Sequence, residues 1–516
     1  MTKQRRRQVV PGADDNGVKG SASGAVAALI ERGLTRPMQA TDYDTSWALR
    51  LTGADGLPEY PDLARWLLDR QHEDGSWGGQ MPHAHDRLLT TLSVVISLHD
   101  LDGPGVREAR AAGERYLRGH AGDLGAGSDR TIGFELIFPT LLEEAARRGL
   151  DVPAVAIDRL ERERAAKLDL LPTDDIFGTH TTALFSLEAF RPGLQAEEAS
   201  RLLLENGSMA NSPSATACLM GQVPDWREKL PRSAAYLDGL LAQTGAGLPA
   251  AYPCDIFVRA WTLYYLHQGG LFEPNRRMLQ PYLDHLRAND SPDGVWFASA
   301  SGSVDSDDTA MTLLVLHRAG HEVDGSALLR FEKERWFSAH RHESNPSTST
   351  NLHILEALAV IPEEHRARVR EKILAHLFDI RRDGAYWRDK WHASVYYPTT
   401  TALAVLSEHA PAELKPTLGW LLGNQRPDGS WGEFAPTTEE TSLVLLSLLR
   451  CHRSGRSLPE EPMRRGAAYL IEHPENPEVR YPELWIGKSL YAPVFAIEAI
   501  RLSALALYAD TFGSAP

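Results

Sequence analysis

With 516 residues, the chain is long enough for two or three domains with large cores. Its 54 basic and 69 acidic residues give a formal net charge of −15, which argues against a nucleic-acid partner, because such a partner asks for a basic face. An anionic ligand would have to be met by a local basic pocket. Three cysteines, Cys218, Cys254 and Cys451, are scattered, odd in number and without metal-ligand spacing, so a reducing, cytoplasmic setting is expected. No apolar run reaches about 18 residues, so no membrane-spanning helix is expected.

In chain order, residues 1–24 carry basic residues but no apolar stretch, and read as a disordered tail rather than a signal peptide. Beyond them the pattern is helical. "ARWLLDRQ", "RLLTTLSVVISLHDL", "TAMTLLVLHRAG" and "TSLVLLSLLRCH" place apolar residues at helical spacing, and alternating strand patterns are scarce. A repeat accompanies the helices: "QHEDGSWGG" at 71–79 and "QRPDGSWGE" at 425–433 are near copies, with looser relatives at 291–299 and 381–389. Asp293, Asp383 and Asp428 are 90 and 45 residues apart, which suggests a unit of roughly 45 residues. Each unit reads as a helix, a Gly turn with a Trp, and a Ser/Thr-led helix. The second helices align as "GTHTTALFSLEAF", "NPSTSTNLHILEAL", "YYPTTTALAVLSEH" and "TTEETSLVLLSLLR", with Ser and Thr placed as caps. Helix pairs closing on themselves would form an all-α fold of α/α barrels, with a cavity among the inner helix ends. Trp77 and Trp431 read as structural plugs.

"SVDSDDTAMTLLVL", residues 303–316, fills the capping slot with three acids, Asp305, Asp307 and Asp308. One Asp suffices as a cap, and "TTEETS" shows that paired acids can fill this slot without a special role. A calcium loop needs Gly at its sixth position, where this chain has Ala310.

The ordered set "TDYDTSWAL", "AHDRLLTTL", "GFELIFPTLLEEA", "NGSMANSPSATA", "YPCDIFVRAW", "DSDD", "DKW" and "LWIGKSLY" resembles a class II terpene cyclase, of the bacterial copalyl diphosphate synthase-like kind, from about residue 42 to 495. "DSDD" matches the family's DxDD motif and the Gly/Trp turns its QW repeats. The class I motif is not matched: "DDIFG" at 174–178 begins like DDxxD but ends in Gly178.

The resemblance implies two α-barrel domains with the active site between them. The γ domain, 51–270, is inserted into a β domain of 25–50 and 271–516. It implies protonation of the terminal alkene of a linear prenyl diphosphate and closure of two rings, with the diphosphate retained. Asp307 maps to the proton donor, Asp305 and Asp308 to its tuning partners, and Asn351 to an orienting amide. An alkene is a very poor base, so the donor must be dry, aimed and protonated, which neighbouring carboxylates favour. Trp261, Trp296, Phe297, Tyr396 and Trp485 lie in or beside segments expected to line the cavity, where cation–π contacts supply about 0.5–2 kcal/mol each. Lys167 and Lys390, with Lys488 as a further candidate, map to diphosphate ligands, and Glu135 to a residue that holds Mg²⁺. Lys167 lies 18 residues before Phe185, and Lys390 lies 83 after Asp307, as the family pattern asks.

The chain departs from ent-copalyl diphosphate synthases at two positions. Phe185 and Ala250 stand where those enzymes have a His–Asn pair for the final proton, which argues against an ent-copalyl product. His180 and Tyr265 are candidate replacements. Phe185 also narrows the expected cavity, so farnesyl diphosphate, giving a drimane skeleton, competes with geranylgeranyl diphosphate. A non-catalytic helical-repeat carrier of prenyl lipids is the alternative of another class, and a homodimer is open to all three.

Overall fold

A computed structural model describes residues 15–35, 37–120, 130–152, 157–169, 182–193, 195–245, 247–300, 303–341, 343, 345–474 and 480–513. Among these the protein is all-α. Its one sheet is a short antiparallel ribbon, β1 (Trp485–Ile486) with β2 (Leu490–Tyr491). After α1 (Asp15–Thr35), the inner helices form two closed rings.

The first ring is α2 (Asp42–Leu49), α3 (Ala84–Ser97), α4 (Phe134–Arg147), a 3₁₀ helix (Thr182–Gly193) and α5 (Pro213–Met220), which packs back on α2. The second is α6 (Asp255–Gln268), α7 (Ser306–Arg318), α8 (Thr348–Glu356), α9 (Tyr396–His409), α10 (Thr438–Arg453) and α11 (Val494–Phe512), which packs back on α6. Each ring encloses its own core. One core runs from Tyr43 to Leu248, and the other takes residues 26–38 and 254–508. Helix α2, assigned by sequence to the β domain, packs in the first core, and α6, assigned to γ, packs in the second. The turns at Pro58–Pro61 and 267–274 punctuate helices within a core rather than between cores.

The Gly/Trp repeats are fasteners. Trp77, Trp387 and Trp431 are fully buried, and each indole N–H donates to a carbonyl ten residues back, on Leu67, Leu377 and Leu421, at 2.7–2.8 Å. Gln425 Nε2 donates to Gly429 O and Pro462 O, which ties the turn to the next outer helix. Gly429 has φ +91°, and a Cβ there would stand 2.5 Å from Arg465 O, so both conformation and space select Gly.

The ribbon joins the rings. Between its strands, Lys488 enters the first ring and is fully buried. Its ammonium donates to Phe185 O at 2.8 Å, and to Glu188 Oε1, Ser212 Oγ and Ser214 Oγ at 2.7 Å each. Leu490 N donates to Asp86 Oδ1, and Ile132 N to Gly487 O, both at 2.8 Å. An ammonium with these partners has no donor left for a diphosphate, so Lys488 is a pin between the rings and not the anion ligand expected from sequence. Lys488→Met leaves the Glu188 carboxylate uncompensated and should cost about 3–5 kcal/mol, with partial recovery in Lys488→Met/Glu188→Gln. Denaturant unfolding measures both, and a single-variant loss below about 1 kcal/mol would contradict the pin.

Candidate active site

The acid motif sits where α7 begins at the mouth of the second ring. Asp305 caps the helix, its Oδ1 accepting from Asp308 N at 2.7 Å. The preceding strap is fixed on both sides: Asp305 N donates to Val295 O, Ser306 N to Ala339 O, and Ser306 Oγ to Ser338 O, at 2.8–3.0 Å. Asp305 and Asp308 are buried, whereas the Asp307 side chain is 19% exposed and turns toward α8. There His353 Nδ1 lies 2.7 Å from Asp307 Oδ1.

Burial, reinforced by the Asp307 charge, pushes Asp305 up to about 7. Burial and the charges of Asp305 and Asp307 push Asp308 well above the carboxylate range. Asp305 and Asp308 therefore keep protons that solvated carboxylates would lose. Burial alone would lower His353, but the Asp307 carboxylate outweighs it and holds the imidazole above its ordinary value. Asp308 Oδ1 is buried without a hydrogen-bond partner.

The sequence expectation for Asn351 is not met. Its Nδ2 donates to Phe337 O and Ser347 O and its Oδ1 accepts from Phe337 N, all at 2.8–2.9 Å, so the amide is spent on a loop. Residues two apart on an α-helix differ by about 200°, so the face opposite Asn351 carries His353 to Asp307.

An aromatic wall adjoins the pair. Trp261 meets His353 edge-on at 5.8 Å and its indole N–H reaches Tyr397 Oη at 3.4 Å. Tyr397 lies 6.5 Å from His353, 4.8 Å from His392 and 4.9 Å from Trp485, measured between ring centroids. Phe257 closes the wall against Trp261 at 4.5 Å and Trp485 at 5.6 Å. Tyr265 is buried nearby with a hydrogen bond to Tyr397. Tyr396 is not in the wall: it packs outward on Trp420 at 5.3 Å, one residue and about 100° of helix away from Tyr397.

Trp296, Phe297 and Phe185 form a second aromatic group, with Phe297 4.4 Å from Trp296 and 6.3 Å from Phe185. Phe185 and Ala250 both border the Asn211–Ser212 segment. Phe185 O shares the Lys488 ammonium with Ser212 Oγ, and Tyr252, two residues after the buried Ala250, donates its N–H to Asn211 O at 2.9 Å. His180 and 174–178 lie outside the described residues.

Lys167, in the helix Ile157–Leu168, pairs with Glu135 in the first turn of α4 at 2.5 Å. Lys390 pairs with Glu343 and donates to Asn345 O at 2.8 Å. Burial lowers Lys390 below its ordinary value against the raising effect of Glu343, and the nearby Lys167 charge lowers it further, which places the two lysines in one neighbourhood. Each already has a carboxylate partner. No group of three or more His, Cys, Asp or Glu side chains suited to a metal occurs among the described residues.

The chain is 37% identical over 499 residues to the type B diterpene cyclase of Mycobacterium tuberculosis, covering 93% of this chain and 97% of that one. It belongs to the class II diterpene cyclases. It is also 32% identical over 492 residues to the ent-copalyl diphosphate synthase of a Streptomyces species, covering 92% of each. The solved ent-copalyl diphosphate synthase from Streptomyces platensis superposes with a TM-score of 0.74 at 31% identity, over 95% of this chain and 99% of that one. No protein-family model matches the chain. No helix among the described residues is long and apolar enough to cross a membrane.

Reasoning from sequence missed three groups in this cyclase: His353, Tyr397 and the pair His392–Glu439. Each is adjacent to, or in the same capping slot as, a residue already singled out, and helical phase would have been the signal.

The raised carboxyls carry a stability signature. A carboxyl whose pKa is higher in the folded state favours folding while protonated, so its stabilisation is present below its ordinary value near 4 and is lost as pH rises through about 7. Asp305→Asn keeps a good cap but cannot titrate. The stability of this variant should fall less steeply between pH 4 and 7 than that of wild type, by up to about 1.4 kcal/mol per pH unit, in denaturant titrations at several pH values. Parallel profiles would show that Asp305 does not hold a proton.

Proposed function

We propose that this cyclase protonates the terminal alkene of geranylgeranyl diphosphate and closes two rings to a labdane-type or rearranged diphosphate, with the diphosphate retained. The reading rests on the Asp307–His353 contact next to two buried carboxyls, Asp305 and Asp308, that hold protons, beside a wall of aromatic faces. The Asp307 O–H bond breaks, its proton adds to the terminal alkene carbon, and a tertiary cation forms. The next double bonds attack in turn. The carboxylate left behind is stabilised by the His353 N–H and by the start of α7. Aromatic faces hold the migrating charge where water would quench it.

Lys167 and Lys390 are the proposed diphosphate ligands. Both are matched by carboxylates and share one neighbourhood, so the anion would enter by exchanging with Glu135 or Glu343. Glu135 is a single hard oxygen donor, which fits a Mg²⁺ ion shared with phosphate oxygens better than a protein-only cage. When bound, that ion would neutralise diphosphate charge, with Glu135 as its protein ligand. The absent His–Asn pair at Phe185 and Ala250 supports a product other than ent-copalyl diphosphate.

Incubation with geranylgeranyl and farnesyl diphosphates, followed by dephosphorylation and mass spectrometry, tests the reading. A bicyclic C20 alcohol is expected. A drimane alcohol would redirect the reading to the C15 substrate, and binding without conversion would make the protein a lipid carrier. Asp307→Asn should lower turnover by at least about 10²–10⁴-fold with the circular-dichroism spectrum unchanged. Wild-type product formation by that variant would remove Asp307 from the donor role.

Lys167→Ala should raise KM with a smaller change in kcat, and Glu135→Ala should raise the Mg²⁺ concentration needed for half-maximal rate. Steady-state kinetics across a Mg²⁺ series reads both, and unchanged curves would misplace the diphosphate site.

A further inference from the structure

The "TTEETS" slot at the start of α10 resembles a plain cap in sequence, and Glu440 behaves as one. Its carboxylate accepts from Thr437 Oγ1, from Ser394 Oγ and from Glu433 N. Glu439 does not. It is 2% exposed, and its Oε1 takes both available donors, the Trp485 indole N–H at 2.7 Å and His392 Nε2 at 3.2 Å. Its Oε2 is buried with no hydrogen-bond partner. A buried carboxylate oxygen left bare is costly, and a native fold retains one where a ligand or a reaction uses it.

Position makes this oxygen informative. The second ring has six inner helices among the described residues, in the order α6, α7, α8, α9, α10, α11. In such a ring α10 is three steps from α7 in either direction. Asp307 and Glu439 both lie in the first turn of their helices, so they face each other across the mouth of the barrel. Neighbouring helices pack about 8–10 Å apart, which sets opposite axes of a six-membered ring roughly 16–20 Å apart. The intervening space is aromatic: Trp261 stands beside His353, Trp485 and His392 beside Glu439, and Tyr397 touches both sets. The buried Tyr491 is acted on by the charges of Asp308, Glu439 and Asp307, so both acidic groups lie within electrostatic reach of one ring.

We infer that Glu439 is the catalytic base that ends the reaction, with its Oε2 taking the final proton and His392 and Trp485 acting as positioning residues. This rests on the reading of the chain as a protonation-initiated cyclase. In the step, the C–H bond next to the cationic carbon breaks, its electron pair becomes the new C=C bond, and the proton passes to Oε2. Glu439 then releases that proton to solvent, and Asp307 regains one. One proton enters the hydrocarbon and one leaves, so the reaction is an isomerisation without oxidant or reductant. Both donors sit on Oε1, which keeps the carboxylate aimed and leaves Oε2 without a hydrogen-bond partner.

The test uses the full-length protein with whichever of geranylgeranyl or farnesyl diphosphate the wild type consumes. Glu439→Gln is nearly isosteric, keeps an oxygen for the Trp485 indole, and cannot accept the proton. The wild-type product should fall at least about tenfold as a share of the total, replaced by other alkene isomers or water-captured alcohols, while substrate consumption falls by less than the product ratio changes. A merely structural glutamate would leave the ratio unmoved. Glu439→Asp, which keeps the charge but withdraws it, should give an intermediate mixture, and it carries the test if the Gln variant does not fold. A wild-type product ratio from the folded Gln variant, or from the Asp variant where only that one folds, overturns the inference. So does a folded Gln variant that consumes no substrate, because the base would then act before the rings close. Failure of the wild type to convert either diphosphate would instead sink the cyclase reading on which this one stands.

Discussion

One buried cation holds the molecule to its shape. Lys488 leaves the second ring on a two-residue ribbon and ends among oxygens of the first. Burying an ammonium costs several kcal/mol unless its protons are matched, and here a carboxylate, two hydroxyls and a carbonyl match them. Because the acceptors come from both the 3₁₀ helix and the start of α5, the cation fixes three elements together. The segment that donates Phe185 O and the one bordering Ala250 are thereby set against the second ring. Lys488 thereby ties the second ring to the first through one buried contact.

The acid is prepared by a related economy. A single capping carboxylate would satisfy the first turn of α7, and Asp305 does so. The other two are surplus to that cap, and the burial of Asp308 works against its ionisation. The proximity of the three carboxyls makes full ionisation unfavourable, which is the condition that the proposed proton donor requires. His353 meets one of the three only: its ring stands 2.7 Å from Asp307. Three chemically identical groups thus acquire different surroundings from one imidazole and a strap of backbone hydrogen bonds.

Much of this was legible in the residues. Helical period, Ser/Thr caps and the Gly/Trp turns gave the all-α repeat architecture, because these are local signals and the local physics wins. "DSDD" marked the acid by excess, three carboxylates where one would cap. What could not be read was rotation and partnership. Asn351 and His353 share a helix, as do Tyr396 and Tyr397, and sequence fixes neither helix's phase to better than a residue or two. Lys488 reads as an anion ligand because nothing near it in sequence shows the Glu188, Ser212 and Ser214 oxygens that claim it. The domain limits drawn at prolines and glycines missed α2 and α6 for a similar reason: turn residues mark ends of helices, not ends of cores.

Helix α1 packs on both α6 and α11, and Arg32 pairs with Glu498 at 2.6 Å. The second ring is therefore laced from both flanks of the sequence, whereas the first core is complete by Leu248. During synthesis the first ring can close while the ribosome is still working, but the acid-bearing ring must wait for residues 494–512. Until they arrive, five inner helices lack their last neighbour and are exposed to misassociation. The ring that carries the three acids is thus the last part of the chain to become dry.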